Sequence, residues 1–212
     1  MQMVKSVIFD MDGVLVDNRD IHVEAFVIFM KRYGIDIVPK DLLWMFGLGN
    51  DEIMPKLLPE SVIKEKGIKA LADEKEALYR EIFEEKIAPT PGLIDFLKNL
   101  RANGISCAVG SSGNADNVNF VLEKCGIKDY FKAVANGDMV AQAKPAPDVF
   151  RRAAKMLGTL PEDCLVIEDS FAGIEAAHKA GMKVIGMSTT FSKEELSKVR
   201  TLKIVSDFRE LN

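Results

Sequence analysis

Cysteine is scarce in this chain: Cys107, Cys125 and Cys164 are the only three in 212 residues. An odd number, set in or beside apolar stretches, argues against a disulfide framework and reads as buried thiols in a reducing compartment. Basic residues are not in excess either. Lys and Arg number 28 against 32 Asp and Glu, for a formal charge of −4, so nucleic acid is not an expected partner. Long apolar runs are missing: nothing approaches the ~20 residues that cross a bilayer. The apolar run at the start is too short for a signal peptide, and acids interrupt it. These absences lead to the expectation of a cytoplasmic protein with no membrane partner. No segment repeats with a period of about 20 to 50 residues, which excludes a solenoid, and neither a P-loop nor a glycine-rich dinucleotide turn occurs. What is present is an ordinary globular mix, 48% hydrophobic and 28% charged, enough for one large domain or a domain with a smaller insert.

Short β-branched runs mark strands at 4–9, 105–109, 133–135, 164–167, 184–187 and 202–205. Helical stripes lie between them at 93–102, 118–125, 149–157 and 172–180, each closed by or just before a glycine (Gly104, Gly126, Gly158, Gly181). Such alternation predicts an α/β fold, a doubly wound parallel sheet with helices on both faces. Residues 18–88 break it. They are helical in pattern at 22–33, 39–46, 50–57, 61–66 and 68–86, and the last stretch, rich in Glu and Lys, reads as a solvated face. The economical layout is a core of 1–17 and 89–212 with a helical cap, 18–88, inserted after the first strand.

The segment FDMDGVLVD, 9–17, ends that strand on two acids. Ligands of parallel sheets gather at the carboxyl ends of the strands. Asp10 and Asp12, two positions apart on extended chain, can point to the same side. Glu168 and Asp169 end the strand CLVI in the same way. Each acid alone is explained equally well as a helix cap, but two such pairs at one sheet edge call for a cation. Carboxylates with no His or Cys beside them suit a hard ion, most naturally Mg²⁺.

Two other strand ends carry complementary chemistry. Gly110-Ser111-Ser112-Gly113-Asn114 offers hydroxyls and backbone N–H groups to an anion, although a turn leading into a helix cap would look the same. In AKPAPDVF, Pro145 biases Lys144 towards an extended conformation, outside the helix that follows. Together these elements describe a phosphate site. Asp10 is placed to attack phosphorus and form an aspartyl-phosphate. Mg²⁺ and Lys144 neutralise the transferring group. Asp12 protonates the leaving alkoxide and then deprotonates the attacking water.

DMDGVLVD, then GSS, then AKPAPDVF, then LVIEDSFAGIEAAHKAGM, in that order, resemble the haloacid dehalogenase superfamily, in the branch of β-phosphoglucomutase and sugar phosphatases. The resemblance spans nearly the whole chain. It implies a Rossmann-like core and a helical cap inserted after the first strand. It also implies Mg²⁺ held by the side chains of Asp10 and Asp169 and the backbone carbonyl of Asp12, with Glu168 assisting and Ser111 and Lys144 binding the phosphoryl group. His22 stands where the mutase-like relatives carry a cap-entrance histidine, and Lys75 matches a substrate-reaching lysine, though on so charged a helix solvation explains it as well. Ser112 and Asn114 complete the expected substrate contacts. The mutase also has a cap arginine for a second phosphate; here FGLGNDEIM puts Asn50 about there.

The leading expectation is therefore a Mg²⁺-dependent phosphatase of a small phosphorylated metabolite, working as a monomer. A phosphosugar mutase is the alternative. A signalling receiver module is disfavoured because receivers place their acceptor acid after a later strand and carry no such insert.

Overall fold

The computed structural model describes residues 4–212; residues 1–3 of the expected 1–17 segment lie outside the described residues. Strand β1, Ser6–Phe9, is followed by helix α1, Arg19–Arg32, a 3-10 segment at Pro39–Met45, and helices α2, Asn50–Leu57, α3, Glu60–Lys66, and α4, Ile68–Phe83. Alternation then begins with α5, Leu93–Ala102, β2, Ser106–Gly110, α6, Ala115–Lys124, β3, Phe131–Ala135, α7, Asp148–Leu157, and β4, Cys164–Glu168. It ends with α8, Phe171–Lys179, β5, Lys183–Met187, a short α9, Lys193–Leu196, and β6, Ile204–Val205. The stretch expected as helix at 39–46 is 3-10 in hand, with Pro39 opening it, and α9 carries too little periodicity to be read from sequence.

All six strands are parallel, in the order β3-β2-β1-β4-β5-β6. The chain runs outward from β1 to β3, then returns to lay β4 on the other side of β1. The order reverses between β1 and β4, and a crevice opens outside the carboxyl ends of neighbouring strands at such a reversal.

Alternation along the strands splits the core. Val7, Phe9, Val109 and Ile167 face one cluster, which continues into the helical insert through Phe26, Phe29, Met45 and Tyr79. Ile8, Ala108, Val166 and Val184 face the other, packed under α7 and α8 with Phe150 and Ile174. The period of two in side-chain direction forces this division. The insert is thus welded by apolar contact to one sheet face. Its two connections also run side by side: Thr90 donates from its backbone N–H to the Leu15 carbonyl at 2.9 Å and from its hydroxyl to the Val14 carbonyl at 2.7 Å.

Candidate active site

Past β1 the chain makes a tight turn. Leu15 N–H bonds the Met11 carbonyl at 2.8 Å, and Gly13 N–H bonds the Val16 carbonyl at 2.8 Å. Gly13 has φ +78°, and a Cβ there would fall 2.0 Å from Asp169 Oδ2. Glycine is required twice over, for the backbone conformation and for the close approach of the β4 acid. The turn leaves Asp10 buried beside the end of β4, its backbone N–H on the Ile167 carbonyl at 3.0 Å.

Lys144 is fully buried and reaches Asp10 Oδ1 at 2.6 Å and Glu168 Oε1 at 2.7 Å. Glu168 Oε2 also accepts from the backbone N–H of Ser170 at 2.7 Å and from its hydroxyl at 3.0 Å. Burial works against the Lys144 ammonium, yet Asp10 and Glu168 outweigh it and hold its pKa above the ordinary lysine value. Burial pushes the Asp10 carboxyl up to about 7, with Glu168 and Asp12 adding to the rise and Lys144 opposing it. Burial, then the charges of Glu168 and Asp10, raise Asp169 well above the usual carboxylate range.

Asp10, Glu168 and Asp169 bring one carboxylate oxygen each within 4.8 Å of one another. With all three buried acids ionised against one buried ammonium, two negative charges would be left without a counterpart, and a divalent cation would balance them. The donor set is oxygen alone and fits Mg²⁺. Both Glu168 oxygens accept from protein donors, Oε1 from Lys144 and Oε2 from Ser170, and each keeps a lone pair towards the cluster. The Asp12 side chain is not in the cluster.

Asp12 instead turns towards the insert. It accepts from Asn18 Nδ2 at 2.6 Å and lies 3.4 Å from His22 Nε2. Burial alone would raise its pKa, but His22 and Asn18 prevail and lower it. His22 stacks on Tyr79 with ring centres 4.1 Å apart, and its Nδ1 is 2.9 Å from Lys75 Nζ. Lys75 therefore connects through His22 to Asp12.

Lys75 is only 2% exposed, contrary to a solvated reading of its helix. It belongs with Leu71, Leu78 and Tyr79 on the buried stripe of α4, a spacing of four and three visible in the sequence. Glu76, next to it, carries no signal in the sequence that sets it apart from the other acids of the helix. It is buried, and its Oε1 accepts from Lys75 Nζ and from Asn50 Nδ2, both at 2.9 Å. Its Oε2 accepts from Asn117 Nδ2 of the core helix α6 at 2.6 Å.

The donor loop is arranged unevenly. Ser111 is buried, and its hydroxyl accepts from Gly113 N–H at 3.0 Å. The Ser112 hydroxyl donates to the Gly47 carbonyl of the insert at 3.2 Å. Asn114 caps α6, its Oδ1 accepting from Asn117 N–H at 2.9 Å. Between sheet edge and insert lies a cavity lined by Asp10, Asp12, Lys144 and Asp169 on one side and by Asn50, Lys75, Glu76 and Asn117 on the other, with Ser112 but not Asn114 among its walls.

The chain matches the family described as haloacid dehalogenase-like hydrolase over residues 7–187, and it belongs to that family of enzymes. It is 32% identical over 197 residues to the chloroplastic protein SUPPRESSOR OF QUENCHING 1 of Arabidopsis thaliana, covering 90% of this chain but 18% of that protein's length. It is 32% identical to the fructose-1-phosphate phosphatase YqaB of Escherichia coli, over 84% of this chain and 93% of the other. The crystal structure of β-phosphoglucomutase from Clostridium difficile superposes with a TM-score of 0.85 at 29% identity, over 99% of this chain and 94% of that one.

Proposed function

We propose that this chain is a Mg²⁺-dependent phosphomonoester hydrolase acting on a small phosphorylated metabolite through an aspartyl-phosphate, as a monomer in the cytoplasm. The observation that carries this reading is Lys144 held between Asp10 and Glu168, with Asp169 alongside, at the reversal point of the sheet. Lys144 occupies Oδ1 of Asp10, which leaves Oδ2 to attack phosphorus as the bond to the leaving oxygen breaks. Mg²⁺, held by Asp10, Asp169 and the carbonyl of Asp12, would supply charge to the equatorial oxygens. Asp12 must first take up a proton, against the pull of His22 and Asn18 that lowers its pKa, and it gives that proton to the departing alkoxide. A water then attacks the aspartyl-phosphate, losing its proton to Asp12, and inorganic phosphate leaves with Asp10 regenerated. His22 lies beside Asp12, its Nε2 3.4 Å from the carboxylate, with Lys75 behind it on Nδ1, so this face of Asp12 is closed by the insert. Among the described residues no helix is long and apolar enough to cross a membrane.

The similarity to a β-phosphoglucomutase keeps a mutase as the alternative reading. Holding a phosphoenzyme while a sugar turns round needs a grip on its second phosphate, which a forked arginine supplies well. Asn50 and Glu76 line the cavity on the side of the insert and cannot provide it, and the one arginine in the same lining, Arg19 of α1, already donates to the Thr190 carbonyl. A panel of phosphorylated metabolites, assayed for phosphate release with and without Mg²⁺, tests the hydrolase. Following β-glucose 1-phosphate by phosphorus NMR separates the readings: free phosphate is expected, and accumulation of glucose 6-phosphate would establish the mutase instead.

A further inference from the structure

We propose, resting on the hydrolase reading above, that Glu76 is a specificity-determining residue: the cavity wall it organises selects phosphomonoesters whose leaving group carries hydroxyls and rejects those carrying a second phosphate. Glu76 bridges the insert and the core. Its two oxygens take Asn50 and Lys75 from the insert and Asn117 from α6. Asn117 Oδ1 in turn accepts from Arg80 Nη1 at 2.7 Å, so one turn of α4 grips the core amide from both ends.

This network fixes which atoms the wall offers. The Asn50 amide nitrogen faces the carboxylate, so the other polar atom of that side chain is an acceptor, Oδ1. The Lys75 ammonium is paired with Glu76, lies against His22 Nδ1 and sits 4.3 Å over the Phe26 ring. The wall carries no net positive charge. Burial acts to raise the Glu76 pKa, but Lys75, His22 and Asn50 hold it down at about 2, so it is an anion at any working pH. The other cations lining the cavity are Lys144, which is paired with Asp10 and Glu168, and Arg19, which donates to the Thr190 carbonyl at 3.1 Å.

A phosphate brings negative charge and only acceptors. Placed against Glu76 and Asn50 Oδ1, it meets like charge and an unmatched acceptor. A hydroxyl donates to either acceptor and accepts from the spare N–H groups of Lys75 or Asn117, while Phe26 and Ile53 in the same cavity cover its carbon skeleton.

The test compares fructose 1-phosphate with fructose 1,6-bisphosphate by initial phosphate release in Mg²⁺. The wild type should favour the monophosphate in kcat/KM by roughly tenfold or more, since like-charge contact costs that much at least. Asn50→Arg combined with Glu76→Gln should shrink the ratio about tenfold, chiefly through a lower KM for the bisphosphate. Asn50→Arg alone should shift it less, because Glu76 captures the new guanidinium. The ratio is read within one protein, so partial misfolding cancels. Two outcomes overturn the inference alone: a wild-type ratio near one, measurable with no variant at all, or an unmoved ratio in the folded double variant. Release from neither sugar phosphate, nor from p-nitrophenyl phosphate, would sink the hydrolase reading and this inference with it.

Discussion

Lys144 Nζ lies 2.6 Å from Asp10 Oδ1, across 134 residues of chain, and both residues are buried. The lysine fixes the orientation of the acid and offsets its charge while leaving the second carboxylate oxygen uncommitted. Glu168 on the other side of the ammonium keeps Lys144 in place whether or not Asp10 is charged.

Asp10→Asn preserves shape and removes the attacking charge. Turnover should fall by roughly 10⁴-fold or more, the scale on which losing a nucleophile acts. The thermal midpoint should hold or rise, because one of three crowded buried acids is neutralised. A variant with a tenth of wild-type phosphate release would remove the covalent route.

Mg²⁺ should raise the thermal midpoint of the metal-free protein, because an ion that binds only the folded state stabilises it by mass action. EDTA should abolish activity, and Asp169→Ala should lose both the midpoint shift and the response to added metal. An unchanged Mg²⁺-induced shift in Asp169→Ala, followed by scanning calorimetry, would take that side chain out of the site.

Glu76 makes the cap-to-core contact sensitive to acid. Its pKa is about 2 folded against an ordinary 4.5, so between those values the unfolded chain binds more protons. Its contribution is complete above pH 4.5 and is lost as pH falls towards 2, on the order of 3 kcal/mol in all. Glu76→Gln should therefore flatten the rise of thermal midpoint between pH 3 and 5. Parallel curves for variant and wild type would contradict the assignment.

Gly173 on α8 is where the smallest possible addition should do damage. A Cβ there would stand 1.6 Å from Glu168 Oε1, and that carboxylate is pinned by Lys144 and Ser170. Gly173→Ala should lower stability by about 1–3 kcal/mol, the usual range for overpacking, and should cut activity further than the midpoint suggests, since Lys144 moves with Glu168. Full activity with a lowered midpoint would show that Glu168 does not position the lysine.

Much of this molecule was legible in one dimension. Strand and helix periods follow from local side-chain geometry, so Leu93–Ala102 and Asn50–Leu57 fall at the bounds the sequence predicts. Asp10, Asp12, Glu168 and Asp169 are conspicuous as two pairs, because helix capping accounts for a single acid at a strand end but not for two pairs at one sheet edge. Lys144 stands out through the proline after it and the company of those acids.

Other residues became visible only through folding. Lys75 and Glu76 look like two more charges on a charged helix, and no local property distinguishes them from Lys69 or Asp73, which pair with each other in solvent. What sets them apart is that α4 packs against both α1 and the core helix α6, burying one stripe and bringing Asn50 and Asn117 to the same carboxylate. Asn114 went the other way, its carboxamide taken up by the first turn of α6. The sequence by itself determined the alternating architecture and the acids at the strand ends, because those depend on residue type and spacing along the chain. Only the tertiary structure decided which charges lost their water and which partners they met, because burial and pairing depend on segments distant in sequence coming together.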